Sequence, residues 1–374
     1  MTKPLEGLLV VSLEQAVAAP MAGRRLADAG ARVIKLERPE GDFARGYDAL
    51  AKGQSVYFIW LNRGKESVVV DLAKPEDKRL FEAMIAKADI FIQNLKPGAL
   101  AKLGLPVEEL CARHPRLIAC SISGYGDTGP YANRKAYDLL IQAESGLASI
   151  TGSAPEPARV GISVVDITTG LHAYEAILEA LLRRGVTGQG ADIRISMFDT
   201  MAEVMGVPLL QGIHGAPPRR IGLSHISLAP YGVFMTRDQV PILISIQNDR
   251  EWKALCVQVF GKPECTTDPR FANSVARTAN RPETDGLVAA WFAEHDAEEA
   301  IAKLDAADIA FGRVNDVHGL HAHPHLRMMA IATPAGPVDV PAAPAQWIGE
   351  DESAPGAVPP LGAHTRAVRE EFLG

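Results

Sequence analysis

The first third of the chain constrains the fold most, because short, almost unbroken apolar runs alternate there with stretches of helical period. Residues 8–13 (LLVVSL) form one such run, the pattern of a strand covered on both faces. Pro20 opens a helical stretch and Gly30 is placed to stop it, after which residues 32–37 (RVIKLE) are the next strand. Strand, helix and strand at this spacing make a β-α-β unit, whose right-handed crossover sets the two strands parallel. Residues 67–72, ADIFIQN and LIACSISGYG add further strands, and residues 75–87 add an amphipathic helix. The pattern predicts a doubly wound, mostly parallel α/β sheet.

From Pro217 the rhythm changes. PYGVFMTRDQVPILISI predicts an antiparallel hairpin turning at Arg237-Asp238, and EWKALCVQVF and residues 283–295 and 297–306 predict helices. Residues from about 220 to 325 are therefore a smaller α+β domain. The closing PPLGAHTRAVREEFLG ends on a helix that needs a docking surface to be ordered. Apolar residues make up 47% and charged residues 22%, the balance of an ordinary globular enzyme. The net charge of −7 gives no reason to expect nucleic acid or an anionic membrane as partner. MTKPLEGLLVVSLEQ has no secretory pattern and no run is long enough to span a membrane, so cytoplasm is the expected compartment.

One stretch carries a candidate for chemistry. From Ile167 the apolar residues recur as Leu171, Tyr174, Leu178 and Leu181, one face of a helix. Residues 160–165 are expected as a short β-rich approach, which makes Asp166 the N-cap of that helix. A capped carboxylate there would be favoured in its charged form by the helix end. Arg38, Asn94, Lys102 and Lys135 stand at the ends of successive elements. In an open α/β sheet the ligand crevice lies at the carboxyl ends of the strands, so these groups suit a phosphate-rich cofactor delivered to a carboxylate. Each alone reads more readily as a solvated surface residue.

Other chemistries lack their motifs. The turn EQAVAAP has no Gly-x-Gly-x-x-Gly fingerprint, and neither a Gly-x-Ser-x-Gly elbow nor a P-loop occurs. The four cysteines are scattered without metal spacing, and HAHPHL is a histidine cluster without acidic or thiol ligands, so no metal is expected.

The segments GARVIKLERPEGD, LNRGKESVVVDL, ADIFIQNLKPGALAKLGL, ACSISGYGDTGPY, KAYDLLIQAESGL, TGQGADIRISMFD and LGAHT follow one another over essentially the whole chain. In this order they resemble the family III CoA-transferases, the group containing formyl-CoA transferase, carnitine CoA-transferase and α-methylacyl-CoA racemase. The resemblance implies a Rossmann-like large domain over residues 1–215, completed by 326–374, with an inserted small domain over 216–325. It also implies an interlocked homodimer. The implied enzyme moves CoA between an acyl-CoA and a carboxylic acid, with CoA thioesters as substrates and no tightly bound cofactor.

Residue by residue, the resemblance places Asp166 on the catalytic aspartate. Arg38, Asn94, Lys102, Lys135 and Tyr137 fall on positions that contact CoA, and Lys96, on the turn after Asn94, joins that set. Val17 and Ala18 fall on the loop beside the thioester. Formyl-CoA transferase has Gln where Val17 stands, so an amide that could bond an acyl oxygen is missing here, which counts against formyl-CoA and oxalate as substrates. The glycine-rich flap of that enzyme has no counterpart either, since IGLSHISLAPYG stands in its place. Gly146, Gly152 and Gly161 are candidates for the close backbone approach that an oxyanion needs.

KAYDLLIQAESGLASITG further resembles family members that use succinyl-CoA as donor and itaconate, mesaconate or citramalate as acceptor. Arg24, Arg25 and Arg45 are candidates for a second carboxylate, although a surface ion pair is the preferred reading for at least two of the three. The competing racemase subgroup has a His-Asp pair where this chain has Tyr137-Asp138, which removes one proton-transfer base. An NADP-dependent oxidoreductase with Arg38 as phosphate clamp lacks its glycine fingerprint, and a catalytically silent CoA-binding protein remains open.

Overall fold

The computed structural model describes residues 3–349 and 355–374. The chain divides into two compact units. One takes the residues up to Ala148, Arg159–Gly215 and those from Arg327 on; the other takes Ser149–Ala158 and Ala216–Leu326. Ser149–Ala158, read from the sequence with the larger stretch, belongs with the second unit.

The first unit is built on a six-stranded sheet of β1 (Leu9–Leu13), β2 (Arg32–Glu37), β3 (Lys65–Val69), β4 (Ile90–Gln93), β5 (Ile118–Ser123) and β6 (Ala191–Ser196). Its order is β3-β2-β1-β4-β5-β6 and every pairing is parallel. The α/β class and parallel sheet expected from the sequence are thus present. Helices α1 (Ala18–Asp28), α2 (Val56–Asn62), α3 (Pro75–Lys87), α4 (Ala99–Lys102) and α5 (Val107–Arg113) lie between the strands in sequence. They are followed by α6 (Asp138–Glu144), α7 (Leu147–Ile150) and the long α8 (Val164–Thr187).

Strand alternation explains why both faces are apolar. Val11, Ile34, Val68, Phe91 and Ala119 join one core with Leu80, Phe81 and Met84 of α3. Their neighbours Val10, Val33, Ile90, Ile92 and Cys120 join a second core, with Ala22 and Leu26 of α1 and Ala173 and Ile177 of α8. The inner strands β1, β2, β4 and β5 are covered twice, which is why their sequences are so apolar, whereas the edge strand β6 (ADIRIS) is only partly covered.

Helices α1 and α8 meet at Gly170. A Cβ there would stand 2.5 Å from the Ala18 carbonyl oxygen and 2.6 Å from the Met21 Cβ, so glycine alone permits this approach. The expected β-rich approach over residues 160–165 is absent. Val164 and Val165 instead form the first turn of α8, since a buried helix start and a buried strand share the same apolar pair.

The C-terminal segment docks on the edge strand. Helix Thr365–Leu373 inserts Val368 and Phe372 into the core with α3. The Ser67 N–H donates to His364 Nδ1 at 3.1 Å and the Val69 N–H to Thr365 Oγ1 at 3.0 Å. A hairpin of Met328–Ile331 and Val338–Pro341 packs Ile331 and Val340 against Phe58 and Ile59 of α2.

In the second unit the strands Tyr231–Met235, Pro241–Ser245 and Ala310–Arg313 form an antiparallel sheet, the first two as the expected hairpin. Ile242, Ile244, Trp252, Val288 and Phe292 form its core. Among the described residues no helix is long and apolar enough to cross a membrane.

Candidate active site

Asp166 is the third residue of α8, not its N-cap. Ser163 holds the cap position and makes no side-chain capping bond. The capping carboxylate comes from elsewhere. Asp138, the first residue of α6, accepts the Val165 N–H at 2.8 Å and the Asp166 N–H at 3.3 Å. Gln142 Nε2 donates to the other Asp138 oxygen at 2.6 Å, while its Oε1 accepts the Val160 N–H at 2.8 Å. The positive end of α8 is thereby satisfied by a neighbour, and the Asp166 carboxylate accepts no hydrogen bond among the described residues. Burial first, and then the like charge of Asp138, push its carboxyl up to about 7. The expectation that the helix end would keep it ionised is corrected by these two effects.

Gly170 lies one turn along the same face of α8 and touches Ala18 and Met21, and Ile167 packs with Val17, Met21 and Leu61. Asp166 therefore stands level with the turn between β1 and α1. That turn is held by side chains. Asn94 brackets Gln15, accepting its N–H at 2.9 Å and donating to its carbonyl at 2.8 Å. Asp42 accepts the Ala16 N–H at 3.1 Å. Ala16 is left-handed, at φ +62°. Beyond it, the N–H groups of Val17 and Ala18 have no acceptor among the described residues. Both residues are buried as wholes, 3% and 4% exposed, so neither side chain is open to a substrate.

Beneath the turn lies a fully buried ionic cluster of Glu14, Lys35 and Lys65, joined by Asp42. Lys35 donates to Asp42 at 2.8 Å and reaches Glu14 at 3.4 Å, while Lys65 pairs with Glu14 and donates to the Pro20 carbonyl at 3.0 Å. Burial alone would raise the Glu14 carboxyl, but the two lysines outweigh it and hold it below its ordinary value. Burial, with Lys35 nearby, holds Lys65 down to about 8. No motif in the sequence announced this cluster; its members become neighbours only through the parallel pairing of β1, β2 and β3.

The expected CoA contacts fall into two groups. Lys96, Lys102 and Lys135 are exposed and, among the described residues, have no ion-pair partner; Arg38 is exposed and donates to the Gly41 carbonyl at 3.0 Å. Tyr137 is 63% exposed and immediately precedes Asp138. These groups are free to meet phosphate or pantetheine. Asn94 is not, because both ends of its amide are engaged by Gln15; it acts on the turn.

Of the arginines considered for a second carboxylate, Arg45 is committed to Glu37 at 2.7 Å and lies over Phe58. Arg24 pairs with Asp28 at 3.7 Å and Arg25 lies over the Tyr174 ring, although each keeps a buried Nε without a partner among the described residues. Burial, with Arg63 close by, lowers Arg24 to about 10. Tyr47, which the sequence did not single out, stands edge-on to Tyr57, and burial, Asp42 and Asp166 push its phenol up to about 12. Gly152 lies in the second unit, whereas Gly146 and Gly161 lie in the first.

The profile of CoA-transferase family III matches residues 5–365. The acetyl-CoA:oxalate CoA-transferase of Acetobacter aceti is 38% identical, over 99% of this chain and 96% of that one. The succinyl-CoA–D-citramalate CoA-transferase of Chloroflexus aurantiacus is 32% identical, over 100% of this chain and 94% of that one. The crystal structure of a CAIB/BAIF family protein from Brucella suis superposes with a TM-score of 0.86 at 35% identity, covering 100% of both chains. With the match running through nearly the whole sequence, the protein belongs to CoA-transferase family III.

Proposed function

We propose that this family III CoA-transferase moves CoA from succinyl-CoA to a short dicarboxylic acid such as itaconate, mesaconate or citramalate, with Asp166 as covalent intermediary. The observation that carries the reading is an unbonded Asp166 carboxyl level with a turn whose Val17 and Ala18 N–H groups are unused. The Asp166 carboxylate attacks the donor thioester carbonyl, forming a mixed anhydride and expelling CoA thiolate. The thiolate attacks the aspartyl carbonyl, giving an aspartyl-CoA thioester and releasing succinate. The acceptor carboxylate attacks that thioester, freeing the thiolate, which takes the acceptor acyl group and returns Asp166 as carboxylate. Each step exchanges one acyl bond for another and needs no external proton. Covalent relay divides one difficult exchange into easier ones.

The chain's own groups meet the demands of these steps. Backbone N–H groups beside the attacked carbonyl stabilise each tetrahedral oxyanion. Arg38, Lys96, Lys102 and Lys135 hold CoA phosphates by charge-assisted bonds, and Tyr137 lies along the pantetheine arm. Arg24 and Arg25 each keep one unused Nε donor for a distal carboxylate, although Arg24 also pairs with Asp28. Relatives named for oxalate and for citramalate bracket the size of the acid. The apolar side chains that α9 (Met197–Val204) and α10 (Gly206–His214) leave exposed, Val204, Val207, Leu209, Leu210 and Ile213, support a homodimer.

The test is incubation with succinyl-CoA and a panel of dicarboxylic acids, followed by hydroxylamine or borohydride trapping and peptide mapping. Acyl exchange with the label on Asp166 is the expected result. Exchange that persists at the wild-type rate in Asp166→Ala overturns the mechanism. Solvent deuterium entering the α-carbon of a 2-methylacyl-CoA without acyl exchange selects the racemase instead.

A further inference from the structure

The turn between β1 and α1 closes only because Ala16 adopts φ +62°, a conformation that a residue with a Cβ disfavours. Such strain persists where the surroundings over-determine it, typically beside a functional group. Here the determinant is Asp42. It is 5% exposed, and one of its oxygens accepts the N–H groups of Ala16 at 3.1 Å and Ala44 at 3.0 Å. Its other oxygen takes Lys35 at 2.8 Å, and its own N–H donates to Glu37 at 3.0 Å. Lys35 is itself locked to Glu14, which Ser12 and Lys65 hold. Every one of these side chains is buried beneath the turn, so none of them is open to an acyl-CoA.

Burying several charges to fix a strand end is costly when apolar side chains could fill the space. An apolar side chain, however, could not hold the Ala16 N–H. The N–H groups that follow Ala16, those of Val17 and Ala18, are unused donors level with Asp166 among the described residues.

We propose that Asp42 is a positioning residue for acyl transfer, holding Ala16 left-handed so that the N–H groups of Val17 and Ala18 face the carbonyl that Asp166 attacks. The inference rests on the aspartyl-relay reading above. It adds a residue that touches no substrate yet sets the rate of each acyl exchange.

The test compares the full-length protein with Asp42→Ala, Ala16→Gly and the double variant, using succinyl-CoA and the best acceptor of the panel. Asp42→Ala lowers kcat per folded molecule by about tenfold or more, as loss or misplacement of oxyanion donors does. KM for succinyl-CoA changes by less than about threefold, because the phosphate contacts lie elsewhere. Glycine accepts a positive φ freely. Adding Ala16→Gly to Asp42→Ala therefore restores kcat by about threefold or more.

An unchanged kcat per folded molecule in Asp42→Ala overturns the proposal, and so does a loss that Ala16→Gly leaves untouched. Asp42→Glu keeps the charge beside Lys35 but displaces the oxygen from Ala16, and it is read in the same way where Asp42→Ala does not fold. Trapping separates this proposal from the reading beneath it. Wild-type transfer without label on Asp166 sinks the relay itself, whereas equal labelling rates in wild type and Asp42→Ala sink only the role of Asp42.

Discussion

Asp166 carries two opposing demands. As a nucleophile it must be ionised, yet burial and Asp138 hold its carboxyl near 7. Activity is therefore expected to rise with pH and level off above about 7, visible as an inflection in log(kcat/KM). Asp138→Asn keeps an acceptor for the Val165 N–H but removes the like charge, so the inflection moves to lower pH. An inflection that stays in place shows that burial acts alone.

The same shift bears on stability. Folded Asp166 keeps its proton at a pH where the unfolded chain, titrating near 3.9, has released it. Its contribution is full below about 3.9 and is lost as pH rises through 7. Asp166→Asn should accordingly raise Tm at pH 8 and leave it nearly unchanged at pH 4. The sequence made Asp166 visible as an aspartate opening an apolar helix, but it misplaced the cap. The true capping carboxylate, Asp138, arrives from another helix, and no local pattern announces a partner so distant in the chain.

Among elements, the crossing of α1 and α8 sets the distance between nucleophile and turn. Gly170→Ala would press a methyl group onto the Ala18 carbonyl and the Met21 side chain. Overpacking of this kind costs about 1–3 kcal/mol. Denaturant unfolding should show that loss, and kcat should fall as well, because the crossing helices must separate just below Asp166. A Gly170→Ala enzyme of full activity would mean that the turn and α8 move as one body.

The inner strands were legible because double burial makes them nearly continuous apolar runs, and the edge strand β3 was misplaced by only a few residues, at Lys65–Val69. The ionic cluster was not legible. Glu14, Lys35 and Lys65 sit on or beside three different strands, and each resembles a surface residue until the sheet order is known. The cations at strand ends were legible as free groups, while the engagement of Asn94 with Gln15 was not, because an amide can serve a ligand or a backbone equally well.

At the scale of the molecule, the apolar row along α9 and α10 predicts association. Light scattering should give about twice the mass of the 40.0 kDa chain. Leu210→Glu, placed in that row, should shift the protein toward monomer, and a monomeric wild type would remove the dimer from the reading.

The docking of the C-terminal segment on β3 has a consequence for how the protein is made. The bond from Ser67 to His364 joins residues 297 positions apart, and all of the second unit's sequence lies between them. At about 5–20 residues per second of synthesis, on the order of 15–60 s separates the emergence of that edge from the arrival of its cover. For that interval a strand with open N–H and C=O groups is exposed on every nascent chain, the kind of edge that recruits other strands. Slowing translation after residue 70 should increase co-translational aggregation, and a chaperone that shields strand edges should reverse it.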